Sequence, residues 1–161
     1  MACNTRVLVD KAAAPATFNE VPFGTRVTLG DVREGFELFD DWESRYRYVI
    51  DLGKDLPRLD EALQTDDHLT RGCQSQVWLY HRYDEDTNRL FFLVDSDALI
   101  VRGLAGIVLS AFNATSPQSI LTFDMEGFFE EIDLISHLSA TRGNGLLAMV
   151  AAIRKIASGP R

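Results

Sequence analysis

The sequence has very little cysteine: among its 161 residues only Cys3 and Cys73 carry a thiol. Two cysteines cannot form a disulfide framework or supply a four-cysteine zinc site. So little disulfide potential predicts a reducing compartment, which we take to be the cytoplasm. A membrane span is also missing, because the most apolar stretch, residues 98–112, is shorter than the ~20 residues required and contains Arg102. The N-terminus has neither the positive start nor the apolar run of a secretory signal.

Basic residues are scarce relative to acidic ones, 16 against 24, and the formal net charge is −8. A negatively charged chain repels phosphate groups. We therefore expect no nucleic acid and no anionic membrane surface among its general partners.

The chain shows no internal repeat, no low-complexity tract and no linker rich in proline or glycine. Its length and its 46% hydrophobic content suit one globular domain with a real core. Small residues and Pro15 give the first residues little apolar periodicity. We predict a flexible N-terminal lead over residues 1–18 and a single domain over residues 19–161.

Hydrophobic spacing predicts two helices in the first third of the domain. The first is capped by Asp31 and runs to about Asp40, and the second runs from about Trp42 to Leu52. Gly53 would end the second helix in a left-handed C-cap. Residues 56–70 form an acidic, irregular stretch in which a proline discourages a longer helix.

A β-hairpin is predicted next, with strands over Gln76–Tyr83 and Arg89–Val94 joined by an acidic turn. A buried helix over residues 98–112 follows, started by Ser96 or Asp97. Helix starts are also predicted at residues 116–117 and at residue 139, with a short helix around residues 128–132. Helices flanking a small antiparallel sheet give the fold class α+β.

Cys73 is the main candidate for chemistry, within the segment Arg71-Gly72-Cys73-Gln74-Ser75. A thiol attacks only as the thiolate, which a nearby cation such as Arg71 would favour. Gly72 permits a tight or mobile backbone beside it. These residues leave open an inert, buried cysteine, because free cysteine is among the most buried residue types. Cys3 lies in the predicted lead and is interpreted as an incidental surface thiol.

The three histidines leave open a stand-alone cysteine-dependent enzyme, a hydrolase or a thiol transferase. Their spacing from Cys73 matches no cysteine-protease signature. His81 falls inside the aromatic strand, where a structural role is expected, and His68 is expected to be a solvated loop residue. His137 is the third histidine that could in principle pair with Cys73.

Two further motifs have a structural interpretation beside a functional one. The pair Asp95 and Asp97 has the spacing of a metal-binding D-x-D, but the turn between strand and helix favours capping instead. The segment Arg142-Gly143-Asn144-Gly145 lacks the spacing of a phosphate-binding loop and is interpreted as a flexible first turn of the last helix.

Taken together, four blocks from about Phe36 to Ala157 resemble the SufE family, which includes the CsdE branch. The blocks are Trp42-Glu43-x-Arg45-Tyr46-x-Tyr48-x-Ile50-x-Leu52-Gly53 with Leu56-Pro57, Gly72-Cys73-Gln74-Ser75-Gln76-Val77-Trp78, Asp95-Ser96-Asp97-Ala98-x-Ile100-Val101-x-Gly103-Leu104, and Leu138-Ser139-x-x-Arg142-x-Asn144-Gly145-Leu146. Residues 22–28 look more like the CsdE branch and Gln74-Ser75 more like SufE proper, so the branch stays open.

The resemblance implies an α+β fold related to the IscU-type scaffolds and a role as a sulfur acceptor. The donor would be a cysteine desulfurase, stimulated by this protein, and the pyridoxal phosphate would belong to that partner. Cys73 would become a persulfide and pass its sulfur to an iron–sulfur scaffold or another acceptor. The chain would be an accessory protein with no cofactor or metal of its own.

Supporting roles in this site are implied for residues of the same motifs around Cys73. They are Arg71, Gly72, Gln74, Asp95, Asp97 and Arg142. Asp95 and Asp97 are expected to shape the cavity or cap the helix, and Arg142 to lie near the surface of sulfur transfer. A purely structural interaction module with an incidental thiol is a third interpretation of the chain.

Overall fold

The hairpin and the helices predicted from the sequence form in the structure, a computed structural model that describes residues 18–160. The α-helices, numbered along the chain, are α1 Leu29–Leu38, α2 Trp42–Gly53, α3 Leu99–Phe112, α4 Pro117–Thr122, α5 Met125–Glu131 and α6 Ala140–Ser158. Short 3-10 helices cover Glu61–Leu63, Asp66–His68 and Ile135–His137. The strands are β1 Val77–Asp84 and β2 Arg89–Ser96. The predicted α+β class is confirmed.

The two strands form an antiparallel hairpin in which Val77 lies opposite Ser96 and Asp84 opposite Arg89. The first half of β1 and most of β2 are buried, and helix α3 packs against β2. Strand β2 continues two residues further than predicted, so that Asp95 lies within the strand and not in the turn after it.

Helix α1 begins two residues before the predicted cap. Thr28 is the N-cap, and its hydroxyl accepts a hydrogen bond from the Asp31 backbone N–H at 3.1 Å. The Asp31 carboxylate accepts one from the Thr28 backbone N–H in return, at 2.9 Å. Asp31 is therefore the third residue of a capping box, and the prediction that it caps the helix itself was wrong.

The prediction of a left-handed Gly53 was also wrong, because Gly53 is the last residue of α2 and Lys54 is its C-cap. A Cβ on Gly53 would lie 2.7 Å from the backbone nitrogen of Gly103 in α3, and a Cβ on Gly103 would lie 1.9 Å from the Val49 carbonyl oxygen. The two glycines let the backbones of α2 and α3 approach closely. Close helix packing, and not a turn, is the reason for this glycine.

Helix α3 is buried along most of its length, and Arg102 is buried with it. Its guanidinium is ion-paired with the carboxylate of Asp95 on β2 and donates a second hydrogen bond to the Leu56 carbonyl at 2.6 Å. Asp95 also accepts from the Leu59 backbone N–H at 2.9 Å. The irregular stretch after α2 is thus fixed to the junction of β2 and α3.

Helix α6 begins after Ser139, whose hydroxyl accepts a hydrogen bond from the Arg142 backbone N–H at 3.2 Å, as predicted. Gly143 and Gly145 lie inside this helix and are buried. Residues 142–145 thus lie in the N-terminal part of the last helix, as predicted, and the helix continues through both glycines.

Residues 1–17 and residue 161 lie outside the described residues, and with them Cys3 and nearly all of the predicted lead. Phe18, the last residue of that predicted lead, is buried in the core. Within residues 18–160, none of the helices combines the length and the apolar character needed to cross a membrane.

Candidate functional site

Cys73 lies in a short loop that joins the irregular stretch to β1. The loop is closed at its base by a hydrogen bond from the Thr70 backbone N–H to the Val77 carbonyl at 2.8 Å. An isolated antiparallel bridge between Leu69 and Trp78 lies next to this hydrogen bond. The loop is therefore held at both ends.

Gly72 adopts a φ of +91°, a left-handed conformation that favours glycine over residues with a Cβ. A Cβ at this position would also lie only 3.0 Å from the Cβ of Ala148 on α6. Backbone conformation and the approach of α6 both favour glycine here. Gly72 thus allows the next residue, Cys73, to pack against α6.

The sulfur of Cys73 is half-buried and turns inward, toward α6. Its S–H donates to the Gly145 carbonyl, with 3.5 Å between Sγ and the oxygen. A Cβ on Gly145 would lie 3.6 Å from that sulfur and 3.5 Å from the Cα of Cys73. Gly145 is thus the residue of α6 over which the thiol sits.

A cavity of about 20 Å³ lies beside the thiol. That is room for one water-sized group. Its wall is contributed by the Cys73 loop, by α3 and by α6. The lining residues are Cys73, Gln74, Ser75, Val101, Leu104, Thr141, Arg142, Gly145, Leu146 and Met149.

Burial raises the pKa of the Cys73 thiol above its ordinary value. This direction is opposite to the activation by Arg71 that the sequence predicted. Arg71 is exposed and does not line the cavity, while the sulfur faces an apolar wall that disfavours the charged thiolate. In the conformation described, the site holds the thiol in its protonated, unreactive form.

Two of the other predicted site residues, Gln74 and Arg142, line the cavity beside Cys73. Gln74 is exposed and Arg142 is half-buried, so both lie toward the mouth of the cavity and not in its apolar floor. Arg142 therefore places a cationic side chain in the cavity lining.

Asp95 and Asp97 do not line the cavity. Asp95 is paired with Arg102, and the Asp97 carboxylate accepts a hydrogen bond from the Gln76 backbone N–H at 3.1 Å, at the end of the Cys73 loop. The prediction that Ser96 or Asp97 caps α3 was wrong, because the N-cap is Ala98, and Asp95 does not cap the helix either. Within the part of the chain that is described, no three His, Cys, Asp or Glu side chains are placed to hold a metal ion.

None of the three histidines lines the cavity. His68 is half-buried, with its ring centroid 3.8 Å from that of Tyr80, so the expectation of a solvated histidine was wrong. His81 lies in β1, where burial lowers its pKa to about 4. His137 stacks on the Trp42 ring with the two centroids 4.0 Å apart.

The apolar floor of the cavity was not identified from the sequence. Val101, Leu104 and Met149 follow the same helical spacing as core residues, and nothing in their pattern marks the few that face a cavity. Gly145 carried a signal that could have been used. A glycine inside an apolar helix costs stability relative to alanine, so it indicates a close approach of another group.

Comparisons with known proteins concern the chain as a whole. Residues 30–157 match the model of the SufE family, described as an Fe-S metabolism associated domain. An uncharacterized SufE-like protein of Rhizobium meliloti (strain 1021) is 42% identical over 134 residues, which are 82% of this chain and 96% of that protein. A second, from Rhizobium etli, is 43% identical over 140 residues, covering 84% of this chain and 95% of that protein.

The fold has a solved counterpart as well. The solution structure of a hypothetical protein from Thermus thermophilus superimposes with a TM-score of 0.64 at 17% identity, and the match covers 80% of this chain and 92% of that one. At that identity the likeness concerns the fold alone. The family match over most of the described chain, together with the two relatives above 40% identity, shows that this protein is a member of the SufE family and is associated with iron–sulfur metabolism.

Proposed function

We propose that this protein accepts sulfur on Cys73 from a cysteine desulfurase and hands it on for iron–sulfur cluster assembly. The observation that carries the proposal is the position of Cys73 in a chain of the SufE family. The thiol lies on a loop closed at its base, against a cavity with room for one more atom. The donor enzyme would supply the pyridoxal phosphate, and both proteins would work in the cytoplasm.

The transfer is a thiol–disulfide type of exchange. The Cys73 thiolate attacks the outer sulfur of the persulfide on the desulfurase, a new S–S bond forms at Cys73, and the desulfurase cysteine leaves as a thiolate. No oxidant or reductant is consumed, because the sulfane sulfur only changes its carrier. The protein acts as a stoichiometric carrier and stimulates the desulfurase by removing its sulfur.

The inward orientation of the sulfur means that the partner has to draw the loop out. Burial raises the pKa of Cys73, and its S–H is held by the Gly145 carbonyl, so the free protein keeps its thiol protonated. Turning the loop toward the partner would end both effects and allow the thiolate to form. Gln74 and Arg142 at the mouth of the cavity are positioned to meet the partner first.

The alternative, a stand-alone cysteine-dependent hydrolase or thiol transferase, has less support. Such an enzyme needs a base within hydrogen-bond reach of its nucleophile. The Cys73 sulfur is hydrogen-bonded to a backbone carbonyl, and among residues 18–160 the cavity lining contains no histidine, lysine or carboxylate. A carrier needs no base of its own, since a partner can provide one.

The test is to incubate the protein with a cysteine desulfurase, pyridoxal phosphate and free cysteine, and to measure its intact mass under non-reducing conditions. We expect a gain of one sulfur atom, removed by reductant, together with faster desulfurase turnover. Cys73→Ser should abolish the gain. Cys3→Ser is the matched control, since it removes the other thiol of the chain and should load like the unmodified protein. Absence of both mass gain and stimulation would refute the proposal.

A further inference from the structure

Helix α6 contains a glycine at the point where the Cys73 thiol rests on it. Gly145 lies past the first turn of this 19-residue helix and is buried. Glycine in a helix interior lowers stability relative to alanine, because its backbone loses more entropy on folding. The position therefore calls for a reason other than helix formation.

The thiol by itself does not supply this reason. A Cβ on residue 145 would be 3.6 Å from the Cys73 sulfur and 3.7 Å from its Cβ, which are ordinary van der Waals distances. Alanine would thus be compatible with the unmodified cysteine. What alanine would reduce is the free space around the sulfur, the cavity of about 20 Å³ that Gly145 lines.

We propose that Gly145 is the residue that determines whether the cavity can hold the outer sulfur of a Cys73 persulfide. This inference rests on the persulfide role proposed for Cys73 and deepens it. A second sulfur is bonded to Sγ at about the length of a disulfide bond, ~2 Å. It therefore has to occupy the space directly beside the first sulfur, and a methyl group in contact with Sγ takes part of that space.

The backbone carbonyl of Gly145 holds the thiol when no second sulfur is present. In the unloaded protein it accepts the Cys73 S–H. Once Sγ is bonded to a second sulfur it has no proton to donate, and that hydrogen bond is lost. The outer sulfur instead occupies the apolar cavity, whose wall includes Val101, Leu104 and Met149. Burial there compensates for the lost hydrogen bond and keeps the outer sulfur away from reductants in solution. Gly145 thus acts as a positioning residue for both states.

The experiment uses chemical loading, so that no desulfurase is involved. In a Cys3→Ser background, Cys73 is loaded with a soluble polysulfide: its thiolate attacks a sulfane sulfur, and the polysulfide leaves one sulfur shorter. After desalting, intact mass verifies the added sulfur. Cyanide then attacks the outer sulfur, the S–S bond breaks, thiocyanate forms and the Cys73 thiolate is regenerated. The rate of thiocyanate release reports how accessible the outer sulfur is.

Gly145→Ala is compared with Gly143→Ala, a matched control in the same helix. A Cβ on Gly143 would meet the Ile135 side chain at 3.7 Å, and Gly143 does not line the cavity. We expect thiocyanate release at least about fivefold faster in Gly145→Ala, because the added methyl overfills the cavity once sulfur is present. Gly143→Ala should match the parent protein. Alkylation of the unloaded thiol by iodoacetamide should stay within about twofold in all three.

Equal rates of thiocyanate release in the three proteins would overturn the proposal. So would an equal acceleration of alkylation and thiocyanate release in Gly145→Ala, since Gly145 would then only hold the loop. A parent protein that keeps no added sulfur would contradict it as well. All of these outcomes are separate from the desulfurase experiment, in which the carrier role stands or falls on transfer from the enzyme.

Discussion

The carboxylate of Asp95 and the guanidinium of Arg102 form an ion pair in the interior, with side-chain exposures of 0% and 3%. The pair also binds the irregular stretch before the Cys73 loop, through the Leu56 carbonyl and the Leu59 backbone N–H. A strand, a helix and the stretch that leads to the site are therefore joined by one charged pair. Asp95, which the family resemblance implied to belong to the site, thus supports it from a distance.

Asp95→Asn should destabilise the protein by about 3–5 kcal/mol, because it leaves the buried charge of Arg102 without its counter-ion. Urea unfolding followed by circular dichroism measures the change. The control is Asp51→Asn, which breaks an exposed pair with Lys54 and should cost under ~1 kcal/mol. Similar losses in the two variants would show that the buried pair has no special structural role.

Asp97→Ala should make the Cys73 thiol more accessible without unfolding the domain. The Asp97 carboxylate holds the Gln76 backbone N–H at the end of the loop, and a hydrogen bond of this kind is worth about 1 kcal/mol. Alkylation of Cys73 should accelerate roughly fivefold, the factor that corresponds to this energy. Asp84→Ala, which removes hydrogen bonds to residues 86 and 87 at the far end of the hairpin, should leave the rate unchanged. An unchanged rate in Asp97→Ala would mean that Asp97 does not restrain the loop.

Stability should decrease as the pH falls from about 6.5 to about 4, and His81 is one cause. Burial in β1 lowers its pKa from 6.5 to about 4, so between these values the unfolded chain binds a proton that the folded protein excludes. The contribution of neutral His81 to the free energy of unfolding is fully present above pH 6.5. It is lost as the pH falls from 6.5 to about 4, and it changes no further below that. The loss amounts to roughly 3 kcal/mol.

His81→Phe keeps an aromatic ring in β1 and removes the titrating group. Urea unfolding at a series of pH values should show a shallower decline across the window between the two pKa values than in the unmodified protein. A curve of unchanged slope would contradict the assignment of this window to His81.

Gly103→Ala should be strongly destabilising, at a cost of about 3 kcal/mol or more. Its Cβ would lie 1.9 Å from the Val49 carbonyl oxygen, so α2 and α3 would have to separate. Thermal unfolding measures the effect. In Gly30→Ala, the matched control in α1, the nearest atom to the new Cβ is the Thr28 hydroxyl at 3.6 Å, and little change is expected. If Gly103→Ala unfolds at the temperature of the control, the close approach of the helices does not contribute to stability.

Local patterns were sufficient for most of the secondary structure. Alternating aromatic and branched residues around a polar turn identified the hairpin, and Ser116-Pro117 and Ser139 identified two helix starts. These features depend on residues within one turn of each other. The ends of helices were less predictable where two residues could each form the cap. Thr28 and Asp31 both have cap-forming side chains, and the capping box at the start of α1 uses the two together.

Contacts between distant segments could not be predicted in this way. A glycine in a helix is the same residue whether it ends the helix or meets another one, so Gly53 was assigned to a C-cap and not to the approach of Gly103. Likewise, Arg102 indicated only that the apolar stretch of residues 98–112 is interrupted by a charge. Its partner Asp95 is seven residues away, on another element, and the pairing depends on how β2 meets α3.

The sequence by itself determined the α+β class, the family and the residue proposed to bear the chemistry, since these follow from local periodicity and from motifs along the chain. Only the tertiary structure decided the state of that residue. The Cys73 loop is laid on α6 by distant contacts, so that a carbonyl 72 residues away holds the thiol and burial raises its pKa. The pKa of a side chain depends on what surrounds it in space, and at Cys73 the cause of the shift is burial and not the exposed Arg71 two residues before it.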